Sequence, residues 1–336
     1  MTLRRSLWVI GSAALTILLI AVLIRLGKID LRVTFQQLRS VSWISFTKLV
    51  LLTGLLVYLS TKKWRSIDAA WRRSSDTAPS TITSFTLTSA GLALGTFLPA
   101  QLAMSTARTL GTHVHGRALK RGTAGTLYEQ GFDLLTVCFL AIASGITRFY
   151  RGGAMMWTLS AAIATTLAIL AVGPSVRMLR WRADSRTEKI AASRTRVEAA
   201  LRRLFEMRHS SLIDAGLARR LVILSALRFG VVVLMSVQTA EAINVHIPVW
   251  QMAAAIPFVV MASVIALTPG GLGVNELTSV TVLKIFGTPL AVGAQWAVAN
   301  RVLIAVSYFL VAACAALLLA AQRIIDPGAA DRLQDR

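Results

Sequence analysis

Apolar runs separated by short polar or basic stretches dominate the chain. Residues 7–26, 43–60, 126–146, 155–172, 221–240 and 291–321 each form such a run. About 20 apolar residues in helical form cross the roughly 30 Å hydrocarbon core of a bilayer, so the pattern predicts six spans. The first run follows Arg4 and Arg5, is too long for a signal-peptide core and meets no small-residue cleavage site, so it is expected to stay as an anchor. Two more apolar segments, 82–98 and 248–268, each run into a proline and then a more polar stretch. Helices broken in this way mark hairpins rather than simple spans.

The sign and position of charge set the topology. Residues 61–78 carry Lys62, Lys63, Arg65, Arg72 and Arg73, and residues 173–220 carry twelve Lys and Arg, so both segments are expected on the cytoplasmic side. An even number of crossings must then separate them. The segment at 82–98 should therefore enter from the cytoplasm and return through Pro99. The same count makes 248–286 an excursion from the outside that bends at Pro269, Gly270 and Gly271. In this scheme the inner regions hold 26 of the 36 Lys and Arg and the outer loops hold five, with both termini inside. Two hairpins entering from opposite faces are what an inverted repeat produces. The expected architecture is an all-α polytopic membrane protein with about six spans and two broken or re-entrant hairpins. Residues 1–322 would form the membrane domain and 323–336 a short cytoplasmic tail. The basic segment 174–220 places Ile190, Val197, Leu201 and Leu204 on one helical stripe, which suits either a helix lying on the inner leaflet or a solvated connector.

Composition narrows the function classes. Hydrophobic residues make up 55% of the 336 and charged residues only 15%, against about 25% charged in ordinary soluble domains. The net charge of +21 lies between apolar runs without an aromatic or basic recognition motif, which speaks for membrane topology and lipid headgroups and against nucleic acid. Cys138 and Cys314 fall inside apolar runs, and His113, His115, His209 and His246 lack a third ligand at useful spacing, so neither a disulfide framework nor a metal site is implied. No cofactor is implied either. A phosphate loop of the nucleotidase type is absent, which leaves no sign of ATP use.

Ionisable groups inside apolar runs carry the candidate chemistry, because such groups are costly in lipid and normally face protein or water. Arg228 lies seven residues into its run, about 10 Å at helical rise, where it serves a site, snorkels or forms a structural pair. Arg301 lies ten residues into the run at 291–321. Its guanidinium is buried if that helix is continuous and near the outer interface if it is broken. Glu129 and Asp133, spaced i, i+4, share one helix face. Their natural partners are these arginines or Arg108, although an inner-interface role fits the same spacing. Glu276 follows the bend Pro269-Gly270-Gly271-Leu272-Gly273, where an acid either caps the returning helix or serves a site. Non-helical backbone at membrane depth requires protein or a water-lined cavity around it.

The stretch Thr268-Pro269-Gly270-Gly271-Leu272-Gly273-Val274-Asn275-Glu276 resembles the Pro-Gly-Gly-Leu-Gly-Val-x-Glu signature of the lysylphosphatidylglycerol synthase transmembrane, or flippase-like, family, with Arg301 matching the arginine of the following span. Leu98-Pro99 and Glu129-Gln130-Gly131-Phe132-Asp133 are similar to the Leu-Pro and Glu-Arg-x-x-Asp elements of its first half. The chain departs from the pattern where Ala103 to Arg108 lacks the family's Gly-Glu and where Gln130 replaces its arginine. The resemblance implies a bacterial inner-membrane protein that moves a lipid between leaflets. Arg108, Arg228 and Arg301 would meet phosphate, Glu129, Asp133 and Glu276 would balance them, and Pro99, Pro269, Gly270, Gly271 and Gly273 would form the bends. Only 14 residues follow Gln322, so the aminoacyl-transfer domain of the best-known members is not expected, and with it no enzyme activity. The implied partners are membrane lipids. A non-transporting scaffold for a lipid-modifying or glycosyl-transferring enzyme is the alternative, and an oligomeric state is not implied.

Overall fold

The computed structural model describes residues 31–71, 79–114, 119–190, 215–265 and 268–325. Within them the chain is helical: α1 (Leu31–Arg39), α2 (Trp43–Trp71), α3 (Thr81–Leu94), α4 (Ala100–Val114), α5 (Leu119–Phe149), α6 (Ala154–Ile190), α7 (Ala215–Ala242), α8 (Val249–Ile265), a 3-10 turn (Pro269–Gly271), α9 (Val274–Ile285) and α10 (Leu290–Ile325). Five helices, α2, α5, α6, α7 and α10, are long and apolar enough to cross a membrane, in agreement with five of the six expected spans. The first expected span lies outside the described residues, as does most of the basic segment at 174–220.

Burial follows helical periodicity. In α2 the buried stripe runs through Leu49, Thr53, Leu56, Ser60, Lys63 and Ile67, and in α7 through Ala218, Leu221, Ser225, Met235 and Thr239. These stripes face each other, and α2 and α7 form the central packed pair. Residues of α8, α9 and α10, among them Met252, Leu283, Trp296 and Leu303, extend the same core. Buried hydroxyls return their hydrogen bonds to their own helix, as Thr53 does to the Leu49 carbonyl and Ser307 to the Leu303 carbonyl, each at 2.8 Å. The outer faces carry Leu51, Leu167, Leu170, Leu317 and Leu318, all exposed. The apolar window of α6 is only 11% buried. Water would penalise surfaces of that kind, whereas hydrocarbon accommodates them.

Both expected hairpins are present. α3 spans 14 residues and α9 12, roughly 21 and 18 Å at helical rise, short of the ~30 Å a crossing needs. α3 folds back onto α4, and α8 onto α9. Gly91 permits the first contact: a Cβ there would sit 3.0 Å from the sulfur and 3.1 Å from Cα of Met104. This also accounts for the stretch at 103–107, where Ala103, Met104 and Ala107 are buried hairpin packing. α3 lies antiparallel to α10, with Thr86 donating to the Ala315 carbonyl at 3.1 Å and Phe97 meeting Phe309 at 5.6 Å between ring centroids.

The packing has an internal symmetry. Exchanging α2 with α7, α3 with α8, α4 with α9 and α5 with α10 carries the main helix contacts onto one another: α3 on α10 becomes α8 on α5, α4 on α5 becomes α9 on α10, and α2 on α10 becomes α7 on α5. With α5 and α6 crossing between α2 and α7, and each hairpin returning to its side of entry, equivalent helices run in opposite directions. The two four-helix units form an inverted repeat, with α6 as the extra helix between them.

Two boundaries differ from those read in the sequence. α2 does not stop at Ser60 but runs to Trp71, because Lys63, Trp64 and Ile67 continue its buried stripe. α6 passes Pro174 and continues to Ile190, where a longer cytoplasmic segment was expected from residue 173.

The hairpin tips touch each other. Gly270 has φ of 59°, and a Cβ on it would overlap the carbonyl oxygen of Thr96 in the first tip and Nη2 of Arg301. Gly270→Val should therefore lower thermal stability in detergent by more than the about 1–3 kcal/mol that a left-handed non-glycine residue costs. Gly54→Ala, in a helical position with open space around the added methyl, should be neutral or stabilising in the same measurement.

Candidate functional site

The ion network begins where the stripes of α2 and α7 bring charged residues against α5. On α2, Lys63 lies two turns past Leu56 on the buried face, and its side chain is 0% exposed. Its Nζ lies 2.5 Å from Oδ1 of Asp133 and 3.8 Å from Oε1 of Glu129. On α7, Arg228 donates through Nη1 to Oδ2 of Asp133 at 2.9 Å. From α4, Arg108 pairs with Glu129 through Nη1 and reaches the Ser60 carbonyl with Nη2 at 3.4 Å. Its guanidinium lies over the ring of buried Trp64, 5.2 Å from the centroid. Three cations and two carboxylates from four helices thus form one connected cluster. The i, i+4 spacing of Glu129 and Asp133 is what lets one face of α5 meet α2, α4 and α7 together.

The second group lies at the bends. Oε2 of Glu276 accepts from the Gly273 N–H at 2.7 Å, which satisfies a donor at the start of α9, and Oε1 lies 3.7 Å from Nε of Arg301. α10 is continuous through Arg301, but the guanidinium is not fully buried as a continuous helix was expected to make it: its side chain is 24% exposed. Nη2 of Arg301 donates to the Thr96 carbonyl at 2.8 Å. One guanidinium therefore joins the tip of the first hairpin to the returning arm of the second. Backbone donors at the tips also find acceptors: Gly95 and Leu98 bond to Gly91 and Leu94 carbonyls, and Gly271 bonds to Thr268. This is what broken helix in an apolar setting requires.

The two groups are related by the repeat. Arg108 on α4 pairs with Glu129 on α5, and Glu276 on α9 lies against Arg301 on α10. Each pair joins the returning arm of a hairpin to the following span, with the signs exchanged.

All six predicted charged residues take part, divided between the two groups, and the predicted bends at Pro99 and at Pro269, Gly270, Gly271 and Gly273 lie at the two breaks. Lys63 was missed. Its neighbours Lys62 and Arg65 make the stretch read as a cytoplasmic margin, yet the 49-53-56-60-63-67 periodicity of α2 already assigned it to the buried face. Tyr308, partly buried against the main core, was also missed. It follows Arg301 by seven residues, two turns further along the same face of α10.

Helices throughout the described residues, five apolar spans among them, an inverted repeat and paired charges around two broken hairpins define a multi-pass membrane protein. The family model of the lysylphosphatidylglycerol synthase TM region matches residues 8–323, and the chain belongs to that family. Membership associates it with membrane lipid biosynthesis or transport. No curated protein matches the chain.

Removing one partner of a buried pair leaves the other charge uncompensated, at a cost of about 3–5 kcal/mol. Asp133→Ala, which takes the carboxylate from Arg228 and leaves Lys63 only Glu129 at 3.8 Å, should lower thermal stability by that order. Adding Lys63→Met to it should recover part of the loss, and additive effects of the two substitutions would show that the pair is not coupled.

Proposed function

We propose that the protein assists movement of a phospholipid or lipid-linked precursor between leaflets, its headgroup held between the two hairpins while its tails remain in the bilayer. The observation that carries this reading is the position of Arg301. A cation that joins both helix breaks, is about a quarter exposed and shares a face with Tyr308 can receive an anionic headgroup where the two repeats meet. Broken helices at a repeat interface are where transporters of many folds place their substrates. Movement of one hairpin against its span would open or close that position, with the bends as hinges.

Leaflet-resolved movement of labelled lipids in liposomes containing the purified protein tests this directly. Arg301→Ala or Glu276→Gln should slow movement roughly tenfold or more, the scale of a lost charge-assisted contact, while leaving membrane insertion unchanged. Absence of movement for every lipid by folded wild-type protein would overturn the reading, and unchanged rates in both variants would remove these residues from the path.

A further inference from the structure

Buried Thr53, Thr61 and Ser307 return a hydrogen bond to their own helices, but the hydroxyls of Ser60 on α2 and of Ser84 and Thr88 on α3, and Nε of Arg108 on α4, have no partner. All four residues are at most 2% exposed. Contacts between the helices place them in one layer. Arg65 of α2 bonds Thr81 at the start of α3, and the two helices pack antiparallel. Counted from that bond at helical rise, Ser60 lies about 7.5 Å along, between Ser84 at about 4.5 Å and Thr88 at about 10.5 Å. A Cβ on Gly91, about a turn beyond Thr88, would lie 3.3 Å from Cβ of Ala107 on α4. This brings the neighbouring Arg108 to the same level, where its Nη2 reaches the Ser60 carbonyl at 3.4 Å. Buried polar groups left over in this way are normally satisfied by internal water.

The layer leads to Lys63, which lies about one turn past Ser60 on the same buried stripe of α2. Its Nζ joins two carboxylates, Asp133 at 2.5 Å and Glu129 at 3.8 Å. Each of these gives its other oxygen to an arginine, Oδ2 of Asp133 to Arg228 and Oε2 of Glu129 to Arg108. A guanidinium keeps its proton in proteins, whereas a lysine ammonium can release one. With Lys63 neutral, both arginines still hold a carboxylate and no ion stands alone. Asp133 and Arg228, 17% and 26% exposed, give the cluster an open side. Of the other elements packed on α2, α3 carries no titratable side chain, and α10 brings Arg301, held by Glu276, and Tyr308, packed in the main core. The remaining charges of α7, Arg219, Arg220 and Glu241, are exposed. On α2 itself Lys62 lies over the Tyr58 ring and Arg65 serves Thr81.

Resting on the translocation reading, we propose that lipid movement is coupled to a proton carried on Lys63. In the forward step an N–H bond of the ammonium breaks and an O–H bond forms on Oδ1 of Asp133, leaving an amine and a carboxylic acid. The acid then passes its proton to water on the open side and is again a carboxylate paired with Arg228. A proton relayed by water between Ser60, Ser84, Thr88 and Arg108 restores the ammonium.

The test uses full-length protein in vesicles of phosphatidylcholine and phosphatidylglycerol, with labelled phosphatidylglycerol as the lipid probe and a pH-sensitive dye trapped inside. The readout is the ratio of lipid movement with and without an imposed pH gradient, together with the dye signal. In the wild type the gradient should speed movement severalfold, within the roughly tenfold that one pH unit supplies per proton. Lys63→Arg, which keeps the charge and cannot release the proton, should bring the ratio to near one and silence the dye. Ser84→Ala/Thr88→Val, which removes two hydroxyls of the layer without adding bulk, should reduce both responses severalfold and stands independently of whether the arginine variant folds. Lys62→Arg, one residue away and outside the network, should keep both. A full response in folded Lys63→Arg or in the hydroxyl variant overturns the proposal. Wild-type movement that ignores the gradient, with a silent dye, overturns it while leaving translocation in place. A dye response lost in Lys63→Arg, without movement of any lipid, removes translocation and keeps the proton route.

Discussion

In a helical membrane protein, a charge or a backbone polar group placed away from water has to find its partner within the protein. The contacts of Arg301 meet that requirement for three groups together. Its guanidinium serves a carbonyl left over where α3 ends, offsets the carboxylate that caps α9, and sits against the glycine that allows the two tips to meet. The breaks in the helices and the charge are not separate features to be explained one by one. Each supplies what the others lack.

The cluster built from α2, α4, α5 and α7 obeys the same constraint with more members. Lys63 and Arg108 are fully enclosed, so their value cannot lie in direct recognition of a ligand from the bilayer. They hold Glu129 and Asp133 in place, and Asp133 in turn orients Arg228. The repeat gives this arrangement its geometry: α2 and α7 form the central pair, and the hairpins of the two halves pack against α5 and α10 in corresponding ways. What is partly exposed in each half, Arg228 and Arg301, is supported by what is buried.

Much of this was legible in the sequence, for reasons that are physical. Apolar run length identified the spans, and an even number of crossings between two basic regions required the hairpins, because charge asymmetry and bilayer thickness are both strong constraints. The spacing of Glu129 and Asp133 indicated a shared face, and opposite charge indicated Arg108, Arg228 or Arg301 as partners, of which Arg108 and Arg228 take the role and Arg301 does not. Lys63 was hidden by its neighbours, since a cluster of cations at the end of a span looks the same whether one of them turns inward or all face water. The bond from Arg301 to the Thr96 carbonyl had no signal at all. A backbone oxygen has no residue type, and only the three-dimensional meeting of the tips makes that one available.

The reversed polarity of the two hairpin-to-span pairs bears on how the chain assembles in the bilayer. α4 presents a cation to α5, and α9 presents a carboxylate to α10. If the hairpins exchanged places during insertion, Glu276 would confront Glu129 and Arg108 would confront Arg301, two like-charge encounters in a medium that tolerates neither. Two similar halves that could otherwise be confused are thereby given distinct addresses, and each returning arm, α4 or α9, is matched in charge to the span that follows it in the chain.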